Sequence, residues 1–107
     1  MFDFKDKVAV VTGGARGIGK CICEKFREAG AHVCVIDLIE NDYFTGDISD
    51  KDTLEKFAEK VIADYGKVDF LINNAAPKMC GIEGGSYEDF EYALKVGVNA
   101  PFYLSKL

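Results

Sequence analysis

The chemistry in this chain begins in Thr12-Gly13-Gly14-Ala15-Arg16-Gly17-Ile18-Gly19, where four of eight residues are glycine. An apolar β-branched run, Val8-Ala9-Val10-Val11, precedes the segment, and a helical pattern follows it. The first turn of a helix carries unpaired N–H groups and the positive end of the helix dipole, so it suits a pyrophosphate. Side chains there would hold the phosphates off. Glycine removes the obstacle and permits the positive φ of a tight turn. The spacing from Gly13 is G-x-x-x-G-x-G, which differs from G-x-G-x-x-G, and no G-K-[ST] follows as in a P-loop. A glycine-rich turn of this kind can also serve chain geometry alone. Asp37 adds weight to the nucleotide reading. It stands at the tip of the second apolar run, 18 residues after Gly19, where a carboxylate can accept hydrogen bonds from the adenosine ribose hydroxyls.

These residues need a scaffold, and the periodicities supply one. Lys7 to Thr12 is predicted as a buried parallel strand, and Gly17 to Ala29 as a helix ended by Gly30. Ile18, Cys21, Ile22, Phe26 and Ala29 are expected on its buried face. His32 to Ile36 reads as the second strand, Leu38 to Asn41 as a turn, and Tyr43 to Thr45 as a weak third strand. Ser49, with Asp52 three residues on, is the expected cap of the next helix. In that helix Leu54, Phe57, Ala58, Val61, Ile62 and Tyr65 follow helical spacing, and Gly66 closes it. Val68 to Ile72 is the fourth strand. The last helix starts near Ser86 or Tyr87, and Pro101 is expected to kink or interrupt it. Strands alternating with crossover helices predict an open α/β sheet in the order 3-2-1-4, the first portion of a Rossmann-like doubly wound fold.

At these residues the sequence resembles the short-chain dehydrogenase/reductase family. Thr12 to Gly19 matches the family's T-G-x-x-x-G-[IL]-G fingerprint, and Asn73-Asn74-Ala75 matches most of its N-N-A-G motif. Gly46-Asp47-Ile48 and Val98-Asn99-Ala100 resemble two further family segments, and the likeness spans the chain. It implies that Gly13, Gly17 and Gly19 shape a pyrophosphate loop, with the Ile18 N–H near the phosphates. Asp37 would hold the ribose, and Asp47 and Ile48 would border the adenine. Asn74 and Ala75 would line the cofactor cleft, Asn73 would tie neighbouring strands, and Asn99 would position a water in the catalytic proton relay. There are departures. Ala76 stands where the motif has glycine, and the short stretch from Asp37 to Asp47 leaves no room for the helix the family usually has there. Arg16 could attract a 2′-phosphate, but Asp37 would repel it at close range, which favours NAD(H) over NADP(H).

Composition sets the outer limits. With 107 residues the chain has room for one domain, here read over 1–107 as a truncated NAD(P)-binding domain. A formal charge of −5 disfavours nucleic acid and anionic membrane surfaces as partners. No transmembrane or targeting pattern is visible near Met1, and the expected location is the cytoplasm. Cys21, Cys23, Cys34 and Cys80 lack C-x-x-C spacing and read as small core hydrophobes; His32 has no metal-like partner pattern, so no metal site is expected.

The family's serine and its Y-x-x-x-K pair do not occur in these residues: none of the five tyrosines has lysine four positions later. Tyr92 with Lys95 and Tyr103 with Lys106 are three apart and read as ordinary surface or packing residues. Three readings stay open. The chain is part of an oxidoreductase that transfers hydride between nicotinamide and an alcohol or carbonyl carbon. It is a non-catalytic nucleotide-binding module. Or it is a truncated scaffold that self-associates through the last helix and an uncovered fourth strand, a homo-oligomer being expected. The 107 residues alone are expected to show no turnover, and measurable carbonyl reduction by the purified chain would overturn that.

Overall fold

A computed structural model describes residues 3–77 and 82–107; Cys80 and Gly81 lie outside the described residues. Its centre is β1 (Val8–Thr12), whose five residues are all buried. A strand covered on both faces has no use for alternation, which is why its sequence is a continuous apolar run. β2 (His32–Asp37) and β4 (Phe70–Asn73) flank it in parallel, and the two-residue β3 (Phe44–Thr45) pairs with β2. The order is β3-β2-β1-β4, as the alternation of elements predicts.

Helix α1 (Gly17–Glu28) covers one face of the sheet. There Cys23 packs with Val11 and Val35, supported by Ile22, Val33 and Ile72. The expected buried face of α1 is shifted: Cys23 is fully buried, whereas Ile18 and Cys21 are exposed. The reason is close packing of the glycine loop, since Gly14 brings its backbone against Cys23 and Val35. Burial pushes the thiols of Cys23 and Cys34 above their ordinary range. Phe4, Phe26 and Phe70 meet beside this layer with ring centroids 5.1–5.6 Å apart.

The other face carries α2 (Lys51–Tyr65) and a long segment comprising α3 (Tyr87–Leu94), a π-helical turn (Lys95–Asn99) and α4 (Ala100–Lys106). Val8, Val10, Cys34 and Ile36 from the sheet meet Leu54, Phe57 and Val61 of α2 and Val96 of the π turn. Asp50, not Ser49, caps α2: it accepts from the Thr53 N–H and hydroxyl. The Ser49 N–H is held by Asp47 instead, and this turn delays the helix by one residue. Gly66 closes α2 in the left-handed conformation as expected. β4 begins at Phe70 rather than Val68, which is about half exposed. Ser86 and Asp89 form a reciprocal capping box for α3.

The connection from β2 to β3 contains no helix. Asn41 organises it, donating to the carbonyls of Ile39 and Phe44 and accepting from the N–H groups of Tyr43 and Phe44. Pro101 interrupts the last helix through the π turn. Proline has no N–H to give, and just before it the Ala100 N–H reaches back five residues to Lys95.

Three carboxylates tie the termini of these elements and lie below their ordinary range. Asp50 is held there by Thr53, Asp64 by the Tyr43 hydroxyl and Lys60, and Asp69 by the Val8 N–H and Lys67. A depressed carboxylate stabilises the fold fully above its unfolded pKa of about 4 and loses that contribution as pH falls through the folded value. Circular dichroism against pH should therefore show stability falling below about pH 4, and Asp69→Asn should flatten the dependence in that window.

Candidate cofactor site

All ten residues expected at a cofactor line one cleft of about 370 Å³, at the carboxyl ends of β1, β2 and β4. This is where the strand order reverses, the place where an open α/β sheet leaves a crevice for a ligand.

The floor is the turn leaving β1. Thr12 is buried, and its Oγ1 accepts from the N–H groups of both Asn74 and Ala75 at 3.0 Å. Gly13 has φ +67°, its N–H donates to the Ile36 carbonyl at 2.9 Å, and its own carbonyl accepts from Asn74 Nδ2 at 3.1 Å. The loop is thus fastened to β2 on one side and to the end of β4 on the other. The side-chain tie comes from Asn74; Asn73, expected to join the strands, has an exposed side chain and pairs with Thr12 through its backbone.

Two loop glycines answer to different constraints. A Cβ on Gly19 would overlap the Gly13 carbonyl oxygen and Asn74 Nδ2. A Cβ on Gly17 would meet open space, but its φ is +60°. Arg16 precedes α1 in extended backbone, with no side-chain cap and no acidic residue in the first turn. The first-turn N–H groups at Gly17, Ile18 and Gly19 therefore have no intrahelical acceptor, and these three residues line the cleft. The Arg16 side chain is exposed beside them.

Asp37 closes the β2 side. Its Oδ2 accepts from the Ala15 N–H at 3.0 Å and its Oδ1 from the Ile39 N–H at 3.1 Å. Each oxygen has two lone pairs, so each retains an acceptor position. The far wall is Asp47 with buried Ile48, and two residues the sequence did not offer, Tyr92 and Val96. The Tyr92 hydroxyl donates to Asp47 Oδ1 at 3.1 Å. Burial and that acceptor raise the hydroxyl above the ordinary phenol range. Tyr92 was readable only as a surface or packing residue, because its partner lies 45 positions away. Tyr103 does pack, donating to Glu55.

Asn99 is not brought to this cleft. It is exposed at the end of the π turn and borders a separate groove with Ser49, Lys51 and Lys95.

The fit to a dinucleotide is testable on this geometry. First-turn backbone N–H groups, a glycine turn packed closely against β2 and the end of β4, and a carboxylate at the tip of β2 together match a pyrophosphate flanked by a ribose. Comparison with known proteins agrees. The short chain dehydrogenase family model matches residues 7–107. The chain belongs to that family. An uncharacterized oxidoreductase of Thermotoga maritima is 35% identical, aligned over 97% of this chain and 47% of its own length. An apo SCOR enzyme from Clostridium thermocellum is similar in structure, with TM-score 0.85 and 43% identity over 92% of this chain and 46% of that one. A metagenomic short-chain oxidoreductase solved in complex with NADP gives TM-score 0.87 at 28% identity, covering 95% of this chain and 54% of that one. The chain spans about half the length of the curated relatives it matches. No helix among the described residues is long and apolar enough to cross a membrane.

The two glycines should separate in denaturant melts. Gly19→Ala, which forces a methyl into backbone, is expected to destabilise by about 1–3 kcal/mol. Gly17→Ala should cost about 1–2 kcal/mol through its left-handed backbone alone, and Gly17→Asn, which tolerates that backbone, should recover part of the loss.

Proposed function

We propose that this chain is the dinucleotide-binding part of an NAD(H)-dependent oxidoreductase acting on an alcohol or carbonyl substrate. The observation that carries the reading is the joint presence, in one cleft, of the Gly13–Gly19 turn and the Asp37 carboxylate. Gly13, Gly17, Ile18 and Gly19 would hold the pyrophosphate, Asp37 the adenosine ribose, Asp47 and Ile48 the adenine, and Asn74 and Ala75 the cleft wall toward the nicotinamide. When bound, the nicotinamide supplies the hydride acceptor or donor. These residues bind and orient it.

Asp37 supports NAD(H) over NADP(H). Its two backbone bonds fix it at the strand tip, where a 2′-phosphate would meet a like charge that cannot swing away. Arg16, exposed and uncapped, offers a flexible charge in return, which offsets less. Asn99 keeps a place in the catalytic group of the whole protein as the residue that holds a relay water. The π turn at its position supports this, because such insertions recur at functional sites. The 107 residues by themselves are proposed to bind cofactor without turnover.

Self-association and a cytoplasmic location belong to the same proposal. Phe90, Leu94, Val98 and Phe102 form an exposed apolar stripe along α3 to α4, of a kind that marks contact surfaces.

Thermal or chemical denaturation with and without dinucleotide tests the reading. NAD(H) at a hundredfold excess over Kd should stabilise the chain by about 2.7 kcal/mol; no stabilisation by either dinucleotide would sink the cofactor assignment. Asp37→Ser should move the preference toward NADP(H) by about tenfold, as relief of a like-charge contact predicts.

A further inference from the structure

The Asp47 carboxylate receives two hydrogen bonds, and both fall on the same oxygen. Oδ1 accepts from the Ser49 N–H at 2.9 Å and from the Tyr92 hydroxyl at 3.1 Å. A carboxylate oxygen has about two acceptor positions, so Oδ1 is filled while Oδ2 accepts no hydrogen bond among the described residues. The Ser49 contact is local, two residues along the chain, and by itself leaves the carboxylate plane free to turn. The Tyr92 contact comes from α3, across the cleft wall, and fixes that plane.

The surroundings suit a flat base. Ile48 and Val96 border the same part of the cleft and are buried. Val96 lies four residues after Tyr92, on the same side of its helix. Apolar side chains for the ring and an acceptor at its edge favour a base that carries an exocyclic amine. Adenine presents a donor at that position, where hypoxanthine and guanine present an acceptor.

We propose that Tyr92 is a positioning residue for the base end of the site: it commits Oδ1 of Asp47 and so leaves Oδ2 to accept the adenine amine. The proposal rests on the dinucleotide reading given above. Tyr92 acts through Asp47 and need not touch the cofactor.

The test is a binding titration of the full chain with NAD and with nicotinamide hypoxanthine dinucleotide, with a melting curve for each variant. The unsubstituted chain should prefer the adenine form by about tenfold. Tyr92→Phe keeps the ring and removes the donor, and it should reduce that preference to about threefold or less. Asp47→Asn reads the same link from the other partner. With Tyr92 present, the amide oxygen takes the committed position, the NH₂ group faces the base, and the preference should invert toward hypoxanthine. In the Tyr92→Phe background the inversion should shrink, because the Ser49 N–H still selects the amide orientation but nothing outside the turn then fixes its plane. Unchanged discrimination in Tyr92→Phe, or an Asp47→Asn inversion of the same size with and without the Tyr92 hydroxyl, overturns the role of Tyr92 alone. Failure of the unsubstituted chain to bind either dinucleotide overturns the cofactor reading and the proposal with it.

Discussion

The arrangement depends on one close backbone approach. The carbonyl of Gly13, at the end of β1, lies where a Cβ on Gly19 would have to be. That contact sets the start of α1 directly above the strand it follows. The loop between them has few polar groups left over: the Gly13 N–H goes to β2, the Gly13 carbonyl accepts from Asn74, and the Ala15 N–H is taken by Asp37. A loop whose backbone is satisfied by the ends of two different strands is rigid for a physical reason. Rigidity leaves the unmatched first-turn N–H groups of α1 as the groups a ligand anion would meet.

The opposite wall follows a second chain of dependence. Asp47 orders the turn into α2 by holding the Ser49 N–H, and Tyr92 of α3 holds Asp47 in turn. The wall of the cleft is therefore set jointly by a turn and a helix that are remote in sequence. Further along that helix, Pro101 has no N–H to donate, and the π turn before it absorbs the mismatch. One inserted residue rotates later positions by roughly 100° about the axis, and Asn99 emerges at the surface rather than in the cleft.

The apolar surface that remains has a common cause. Among the described residues β4 pairs only with β1, and the α3 to α4 stripe is exposed. Relatives of the chain run to about twice its length. An open strand edge and a bare helix face are surfaces that parallel α/β folds cover.

The sequence by itself determined the order of elements and the sheet order, and with the family resemblance it named ten of the residues that line the cleft. These are written in local signals: a continuous apolar run means a strand buried on both faces, and a glycine is forced wherever backbone must approach backbone. It also anticipated the missing helix between β2 and β3, because chain length bounds what a connection can contain. The tertiary structure alone decided which of two neighbouring polar residues does each task. Asp50 caps α2 in place of Ser49, and Asn74 rather than Asn73 ties the loop, since the choice depends on which way each side chain faces once the turns have closed. It alone chose Cys23 over Ile18 and Cys21 for the core, through the space Gly14 leaves. The Tyr92–Asp47 bond was illegible for the same reason. Periodicity reports which face of a helix is apolar, but a hydrogen bond across 45 residues exists only when two elements have been packed together.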